Sequence, residues 1–192
     1  MRAEVHVERK EEALETAKGW SEEDQTNTVW TDGSRLEDGS VGAAVAFREG
    51  GSWKEEGVYL GKNKEVFGAE VFAIGRALRI INERGERGRR YTIFSDSQAA
   101  ISRAQHDRTG AGQTLAVDAI ITTEAIADRG NTLTLRWIPS HSGIVGNERA
   151  DKAAKRAAER KEGEANTEYL REASLSHLTR VTTETRTMAT AE

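Results

Sequence analysis

Four acidic residues stand where the surrounding sequence predicts burial or the end of a strand. Asp32 follows a strand-like run in WTDGS, and Asp96 follows another in IFSDS. Glu70 shares the apolar face of a predicted helix, and Asp151 lies at the edge of an alanine-rich helix face. Because ligands of α/β sheets sit at the carboxyl ends of strands, we expect these side chains to meet there.

Each of these residues taken singly has a more ordinary interpretation. An Asp between a strand and a glycine often forms a turn, and an Asp before a helix often caps it. Asp151 also suits the first turn of a helix, where the helix dipole favours negative charge. The combination carries the argument, because the sequence places no Lys or Arg motif beside each carboxylate to neutralise it.

Converging carboxylates predict a site for a hard divalent cation. Like charges held close together raise one another's pKa values, and a dication removes that conflict. Mg²⁺ is commonly held by a few carboxylates, waters and phosphate oxygens. Two such ions about 4 Å apart would activate a water and stabilise the leaving oxygen of an in-line phosphodiester displacement.

The elements that must position these residues are read from the apolar pattern. NTVWTDGS, SVGAAVAFREG and SWKEEGVYLG predict three strands, with a hairpin turn at EGGS. A long helix follows, with an apolar stripe and a glycine, Gly85 or Gly88, to end it. The stripe is Phe67, Val71, Ile74, Leu78 and Ile81.

The second half of the chain alternates strands and helices. RRYTIFS predicts a strand that turns into a helix, with Ser95, Asp96 or Ser97 as its N-cap. TLAVDAIITTEAIADRG predicts an amphipathic helix, NTLTLRWIPSH a strand and GNERADKAAKRAA the last helix. Early hairpins and later crossovers together predict an α/β fold. We expect a five-stranded mixed sheet, with three antiparallel strands followed by parallel ones, and helices on both of its faces.

Composition narrows the class of protein. The chain has 192 residues, no cysteine and no apolar run long enough to span a membrane, and its N-terminus lacks the apolar core of a secretion signal. We therefore expect a soluble protein inside the cell, in the cytoplasm or the nucleus, without a membrane partner. Absence of cysteine also excludes a disulfide framework and a thiolate metal site.

The charge divides the chain into three parts. We predict a polar lead-in at 1–25, one catalytic domain at 26–162 and a polar linker or tail at 163–192. Residues 26–160 carry 20 basic and 18 acidic side chains, so the net charge of −4 comes from the two ends. A protein that holds nucleic acid by a basic patch would show a larger positive excess.

Four motifs in order resemble the type 1 ribonuclease H family. WTDGS, FGAEVFAI, FSDSQAAI and WIPSHSGIVGNERADKAAK cover roughly residues 26–160. The likeness is greatest to the ribonuclease H domains of retroelement reverse transcriptases of the non-LTR type. It implies that Asp32, Glu70, Asp96 and Asp151 ligate two Mg²⁺ ions, with Mn²⁺ as a substitute. The implied reaction cleaves the RNA strand of an RNA/DNA hybrid and leaves a 5′-phosphate.

The resemblance also assigns roles to the block near the last helix. His141 matches a mobile histidine that helps the product leave or relays a proton, although a histidine in a loop such as PSHSG is more often a bystander. Glu148 receives a secondary role near the metals. We expect Asn147 to cap the last helix rather than to act as a ligand.

Four further residues are candidates for substrate contact. The backbone around Gly33 and Ser34 would approach the scissile strand closely, since glycine permits such an approach. Ser97 and Gln98, at a helix start, would meet a phosphate or the 2′-hydroxyl that distinguishes RNA from DNA.

The chain departs from the family's cellular members in its means of holding the substrate. Only Asn63 stands where those members have an Asn-rich turn, and the segment 103–113 is too short for their extra basic helix and loop. The cluster RGERGRR is one possible replacement, although arginines in a loop are usually just solvated. We therefore expect weak substrate binding and an attached reverse transcriptase domain. The main alternative is a non-catalytic domain of the same fold that docks onto a polymerase.

Overall fold

The computed structural model describes residues 3–22 and 27–160, which form six strands and five helices. The strands are β1 (Glu4–His6), β2 (Thr28–Arg35), β3 (Ser40–Glu49), β4 (Ser52–Lys62), β5 (Arg90–Ser95) and β6 (Thr132–Trp137). The helices are α1 (Lys10–Glu22), α2 (Val66–Glu83), α3 (Gln98–Arg103), α4 (Gln113–Ala127) and α5 (Val145–Arg160).

All six strands belong to one mixed sheet, in the order β1-β6-β5-β2-β3-β4. β2, β3 and β4 pair antiparallel, whereas β5 lies parallel to both β2 and β6. Two glycines with positive φ, Gly50 and Gly51, form the turn between β3 and β4. The predicted mixed sheet is confirmed, and β2 and β5 end side by side as the site requires.

Helices cover both faces of the sheet because β2 and β5 are apolar on both sides. Val29 packs into the core shared with α2, α3 and α4, whereas Trp30 faces the opposite core, formed with α1 and α5. There the Trp30 ring stacks on Phe94 with 4.2 Å between ring centroids. Burial on both faces is what the near-continuous apolar runs of parallel strands favour.

The predicted apolar stripe of α2 faces the sheet. Four of its five members are buried, and Phe67 is partly buried. Gly85, with φ +66°, follows the C-cap residue Arg84, so it supplies the left-handed conformation that ends the helix. Glu70 lies in the second turn of this helix and is buried with the stripe.

α5 lies very close to β3 and β4 because small residues line both sides of the contact. A Cβ on Gly42 would lie 2.3 Å from the carbonyl oxygen of Ala154, and a Cβ on Gly57 would lie 3.0 Å from that of Ala153. Neither approach is possible for any residue but glycine without a backbone shift. This contact places α5 over the strands and fixes the position of Asp151.

The N-terminal lead-in adds a strand to the predicted sheet. β1 pairs parallel with β6, and Ala17 of α1 is buried against the core that contains Trp30. The prediction of five strands was one short, because a three-residue strand is too short to show alternation in the sequence. The predicted domain boundaries remain a prediction. The tail predicted at 163–192 lies outside the described residues.

None of the described helices is both long and apolar enough to cross a membrane.

Candidate active site

The site forms where β5 ends beside β2. Thr31 pairs with Ser95, so Asp32 and Asp96 each occupy the next position along two adjacent parallel strands. Asp32 is 5% exposed. The Trp137 indole donates to the backbone carbonyl of Asp96 at 3.0 Å, which fixes the end of β5.

Gly33 brings the third carboxylate to this point. A Cβ at Gly33 would lie 2.7 Å from the backbone nitrogen of Glu70 and 2.9 Å from the Cβ of Ala69. The missing side chain therefore lets the second turn of α2 touch β2. The Gly33 N–H donates to the carboxylates of both Asp32 and Glu70.

Three carboxylates meet here. Asp32, Glu70 and Asp96 each offer an oxygen such that these oxygens all lie within 4.8 Å of one another. Within the described residues, no Lys or Arg side chain forms an ion pair with any of the three. Burial of three acidic groups so close together is unfavourable unless they are protonated or bound to a cation.

The crowding changes the pKa values strongly. Burial raises the pKa of Asp32 from 3.8 to about 8, and the charges of Asp96 and Asp151 add to the effect. Burial likewise raises the pKa of Glu70 from 4.5 to about 9, with contributions from Asp32 and Asp96. Such perturbation in a group of neighbouring carboxylates is typical of a functional site.

Asp96 has a polar partner, Asn147, which the sequence pattern had predicted to be a helix cap. Burial raises the pKa of Asp96, but the Asn147 side chain donates to it and His141 lies near enough to lower its pKa. Asn147 is buried inside the first turn of α5, which begins at Val145, so the prediction that it caps this helix is wrong. Its position four residues before Asp151 on the same helix face was the signal available in the sequence.

Asp151 lies beside the cluster and is only partly buried. It is within hydrogen-bonding reach of Asp32, yet its Oδ2 accepts from the Lys155 ammonium at 2.7 Å. Asp151 raises the pKa of Lys155. The expectation that no cation would neutralise the carboxylates is therefore wrong for this one. A Lys at i+4 from an Asp was the missed signal.

His141 stands in the loop before α5 and is exposed. Its φ of +49° lies in the left-handed region, which a residue with a side chain rarely adopts. Such a conformation is typical of functional sites. Glu148, in the first turn of α5, is close enough to Lys155 to act on its charge.

The predicted substrate-contact residues are dispersed around the site. Ser34 is buried, and Gly33 faces α2. The Ser97 hydroxyl caps α3 by accepting from the Ala100 N–H at 3.2 Å. Gln98 is exposed, so its side chain is free to meet a ligand.

The arginine cluster at residues 84–90 lies at the wrong end of the sheet. It ends at Arg90, the first residue of β5, whereas Asp96 follows the last residue of that strand, and six strand residues span about 20 Å. Arg84 instead packs over the Phe47 ring at 5.5 Å from its centroid. Residues 104–112 connect α3 to α4 without any helix or strand, so no extra basic helix stands there.

The donor set fits a hard divalent cation. All candidate ligands are carboxylate oxygens, and the buried Oε2 of Glu70 has no hydrogen-bond partner within the part of the chain that the structure describes. A buried oxygen without a partner is costly, and a cation would satisfy it.

Comparison with known proteins identifies the family. No curated protein matches the chain. The fold resembles RNase H1 from the halophilic archaeon Halobacterium salinarum, with 20% identity, a TM-score of 0.51 and coverage of 69% of this chain and 96% of that one. It also resembles the N-terminal RNase H domain of a Mycobacterium tuberculosis protein in a fusion with maltose-binding protein. There the identity is 18%, the TM-score 0.52, and the coverage 68% of this chain and 98% of that one. In sequence, residues 24–159 match the RNase H family over well more than half of the chain, so the protein belongs to that family.

Proposed function

We propose that the protein is a Mg²⁺-dependent endonuclease that cleaves the RNA strand of RNA/DNA hybrids. Membership of the RNase H family supplies the reaction class. Two observations carry the proposal for this chain. Asp32, Glu70 and Asp96 each offer an oxygen within 4.8 Å of the others, and the buried Oε2 of Glu70 has no hydrogen-bond partner among the described residues. A non-catalytic domain would have no use for such an unfavourable arrangement.

Asp32, Glu70, Asp96 and Asp151 would hold two Mg²⁺ ions, with Mn²⁺ as a substitute. When bound, the ions would lower the pKa of a water and stabilise charge on the leaving oxygen, which yields a 5′-phosphate product. Asn147 orients the Asp96 carboxylate by its hydrogen bond. His141 stands exposed beside Asp96, where it would give a proton to the departing group.

The substrate would lie across the end of β2 and the start of α3. Gln98, exposed at the first position of α3, is placed to contact a 2′-hydroxyl, which distinguishes the RNA strand from DNA. The Ser97 hydroxyl caps α3 and its backbone N–H donates to the Ser95 hydroxyl, so a contact with the same strand would require Ser97 to exchange one of these partners. We propose backbone contacts from Gly33 and Ser34, since the side chain of Ser34 is buried.

We further propose that the domain works within a retroelement polyprotein, beside a reverse transcriptase. The motifs FGAE and HSGIVGNERAD support this assignment. The alternative, a docking domain without activity, predicts hybrid or polymerase binding without cleavage.

The test is cleavage of a labelled RNA strand, alone, annealed to DNA and annealed to RNA, with Mg²⁺, Mn²⁺ or no metal. We expect cutting only in the hybrid and only with metal, and none by the Asp96→Asn variant. Asp128→Asn is the matched control, because Asp128 is exposed at the end of α4. Hybrid binding by the unmutated chain without any cleavage would support the docking domain instead.

A further inference from the structure

One of the four carboxylates already has a cationic partner. Asp151 contacts Asp32 on one side and Lys155 on the other, with 2.7 Å between its Oδ2 and the Lys155 Nζ. It is absent from the group of oxygens within 4.8 Å that Asp32, Glu70 and Asp96 form. The side chain of Asp151 is 15% exposed and that of Lys155 46% exposed, so the pair stands at the rim of the site.

Helix geometry makes this pair local and reversible. Residues four apart on a helix are neighbours, so Lys155 reaches Asp151 without any change in the backbone. The surroundings of Lys155 are acidic, since Asp151, Asp32 and Glu148 all act on its charge. A cation on a flexible stem therefore stands where a metal ion would need the Asp151 oxygen.

We propose that Lys155 competes with the second divalent cation for Asp151, so that the site is completed only when the lysine is displaced. The inference rests on the proposed function, and it specifies what controls the access of the metal to Asp151, the fourth ligand of the site. Phosphate oxygens of a bound substrate would add negative charge beside the site and favour the exchange of lysine for metal. Lys155 is thus a positioning residue that acts through Asp151.

The matched control lies on the same helix. Lys152 is next to Asp151 in sequence and exposed, and it forms no ion pair with the residues that the structure describes. Lys152→Gln removes one positive charge from the same part of α5, close to Asp151, without removing an ion pair. Lys155→Arg keeps the charge and the reach, so it should retain the competition.

The experiment measures metal binding by the full chain without substrate. Mg²⁺ is titrated by calorimetry and Mn²⁺ by electron paramagnetic resonance, for the unmutated chain, Lys155→Gln, Lys155→Arg and Lys152→Gln. An exposed ion pair has a modest strength, so we expect the second ion to bind Lys155→Gln about two- to fivefold more tightly. Lys152→Gln and Lys155→Arg should bind close to the unmutated value.

Thermal melting of the same proteins supplies a second readout. Without metal, Lys155→Gln should melt below Lys152→Gln, because Asp151 then stands beside Asp32 without its partner. With saturating Mg²⁺ the two variants should melt at the same temperature, or Lys155→Gln should melt at the higher one. If the two glutamine variants had equal metal affinities and equal melting temperatures, this inference would be overturned but the proposed function would stand. An unmutated chain that bound no divalent cation would overturn the proposed function and the inference with it.

Discussion

Asp32 and Glu70 are buried carboxyl groups whose protonation links the stability of the metal-free protein to pH. Their pKa values in the folded protein are about 8 and about 9, against 3.8 and 4.5 for the same groups in an unfolded chain. At any pH between the unfolded and the folded pKa of each group, the folded state binds more protons than the unfolded state. The free energy of unfolding must therefore fall as pH rises through this window.

We accordingly predict that the metal-free chain melts several degrees lower at pH 9 than at pH 6. Each raised pKa contributes on the order of a few kcal/mol at full ionisation, and the two contributions are coupled. Circular dichroism melting in a metal chelator measures the difference. Mg²⁺ should reduce it, because a bound cation replaces the protons.

The variant Asp32→Asn isolates the cause. It should stabilise the metal-free protein at pH 6 and more strongly at pH 9. Asp32 must take up a proton on folding at pH 6 and is buried as an anion at pH 9, whereas Asn does neither. The control Asp128→Asn should change neither value. An Asp32→Asn protein that is destabilised at pH 9 would contradict the crowding of carboxylates at this point.

Gly33 allows the close approach of α2 to β2, a structural role that its position in the sequence did not indicate. Gly33→Ala puts a Cβ 2.7 Å from the backbone nitrogen of Glu70, so α2 must move away from β2. We expect a loss of about 2 kcal/mol or more in stability and at least a tenfold loss in Mg²⁺ affinity.

Gly75→Ala serves as the control because the same change there meets open space. Gly75 lies in the same helix as Glu70. Among the described residues, no atom outside the surrounding helix backbone and the two adjacent residues lies within 4 Å of a Cβ placed on Gly75. Since alanine favours helix over glycine, this variant should gain about 0.5–1 kcal/mol. Both values come from urea unfolding, with metal affinity from calorimetry. An unchanged metal affinity in Gly33→Ala would show that α2 does not depend on this contact.

At the scale of the elements, α5 carries Asp151, Asn147 and Lys155 together. Close packing against the sheet therefore matters for the site as well as for stability. Its position is set by Gly42 and Gly57 on the strands and by alanines on the helix. Gly42→Ala would put a Cβ 2.3 Å from the Ala154 carbonyl oxygen, so either the strand or the helix must shift.

For Gly42→Ala we predict a destabilisation of about 1–3 kcal/mol, typical of overpacking, and weaker cleavage with normal hybrid binding. The weaker cleavage would follow from the displacement of Asp151 relative to Asp32. Hybrid binding should persist because no predicted substrate-contact residue lies on α5. Urea unfolding and single-turnover cleavage test the two parts separately, and full activity at reduced stability would contradict the link between packing and Asp151.

Periodicity predicted most elements correctly because each of them has a face buried by a long apolar pattern. The stripe of α2 and the apolar runs of β2 and β5 are long enough to show their period. β1 was missed because three residues hold no pattern and their partner, β6, lies about 130 residues later. The role of Asn147 was missed because a cap and a residue of the first turn differ by only a few positions, which sequence patterns do not resolve.

At the scale of the whole molecule, the distribution of cations decides how the substrate is held. The arginines of residues 84–90 lie at the end of the sheet opposite the carboxylates, so they do not serve as a grip there. On the far side of α5, Arg149 and Arg156 both pair with Glu55. Lys155 is engaged by Asp151. Within the described residues, three of the cations on α5 are thus already held by acidic partners.

Weak hybrid binding follows from this distribution. Phosphate contacts by Lys and Arg dominate nucleic-acid affinity, so a chain with few of them should bind with a dissociation constant of about 1 μM or weaker near 0.15 M salt. Fluorescence anisotropy of a labelled hybrid with the Asp96→Asn variant in Mg²⁺ measures it, and Arg87→Gln should leave the value unchanged because Arg87 is at the far end. A nanomolar dissociation constant would contradict the prediction. Fusion to a reverse transcriptase domain that holds the same hybrid should lower the apparent constant by supplying a high effective concentration, without any new contact in this domain.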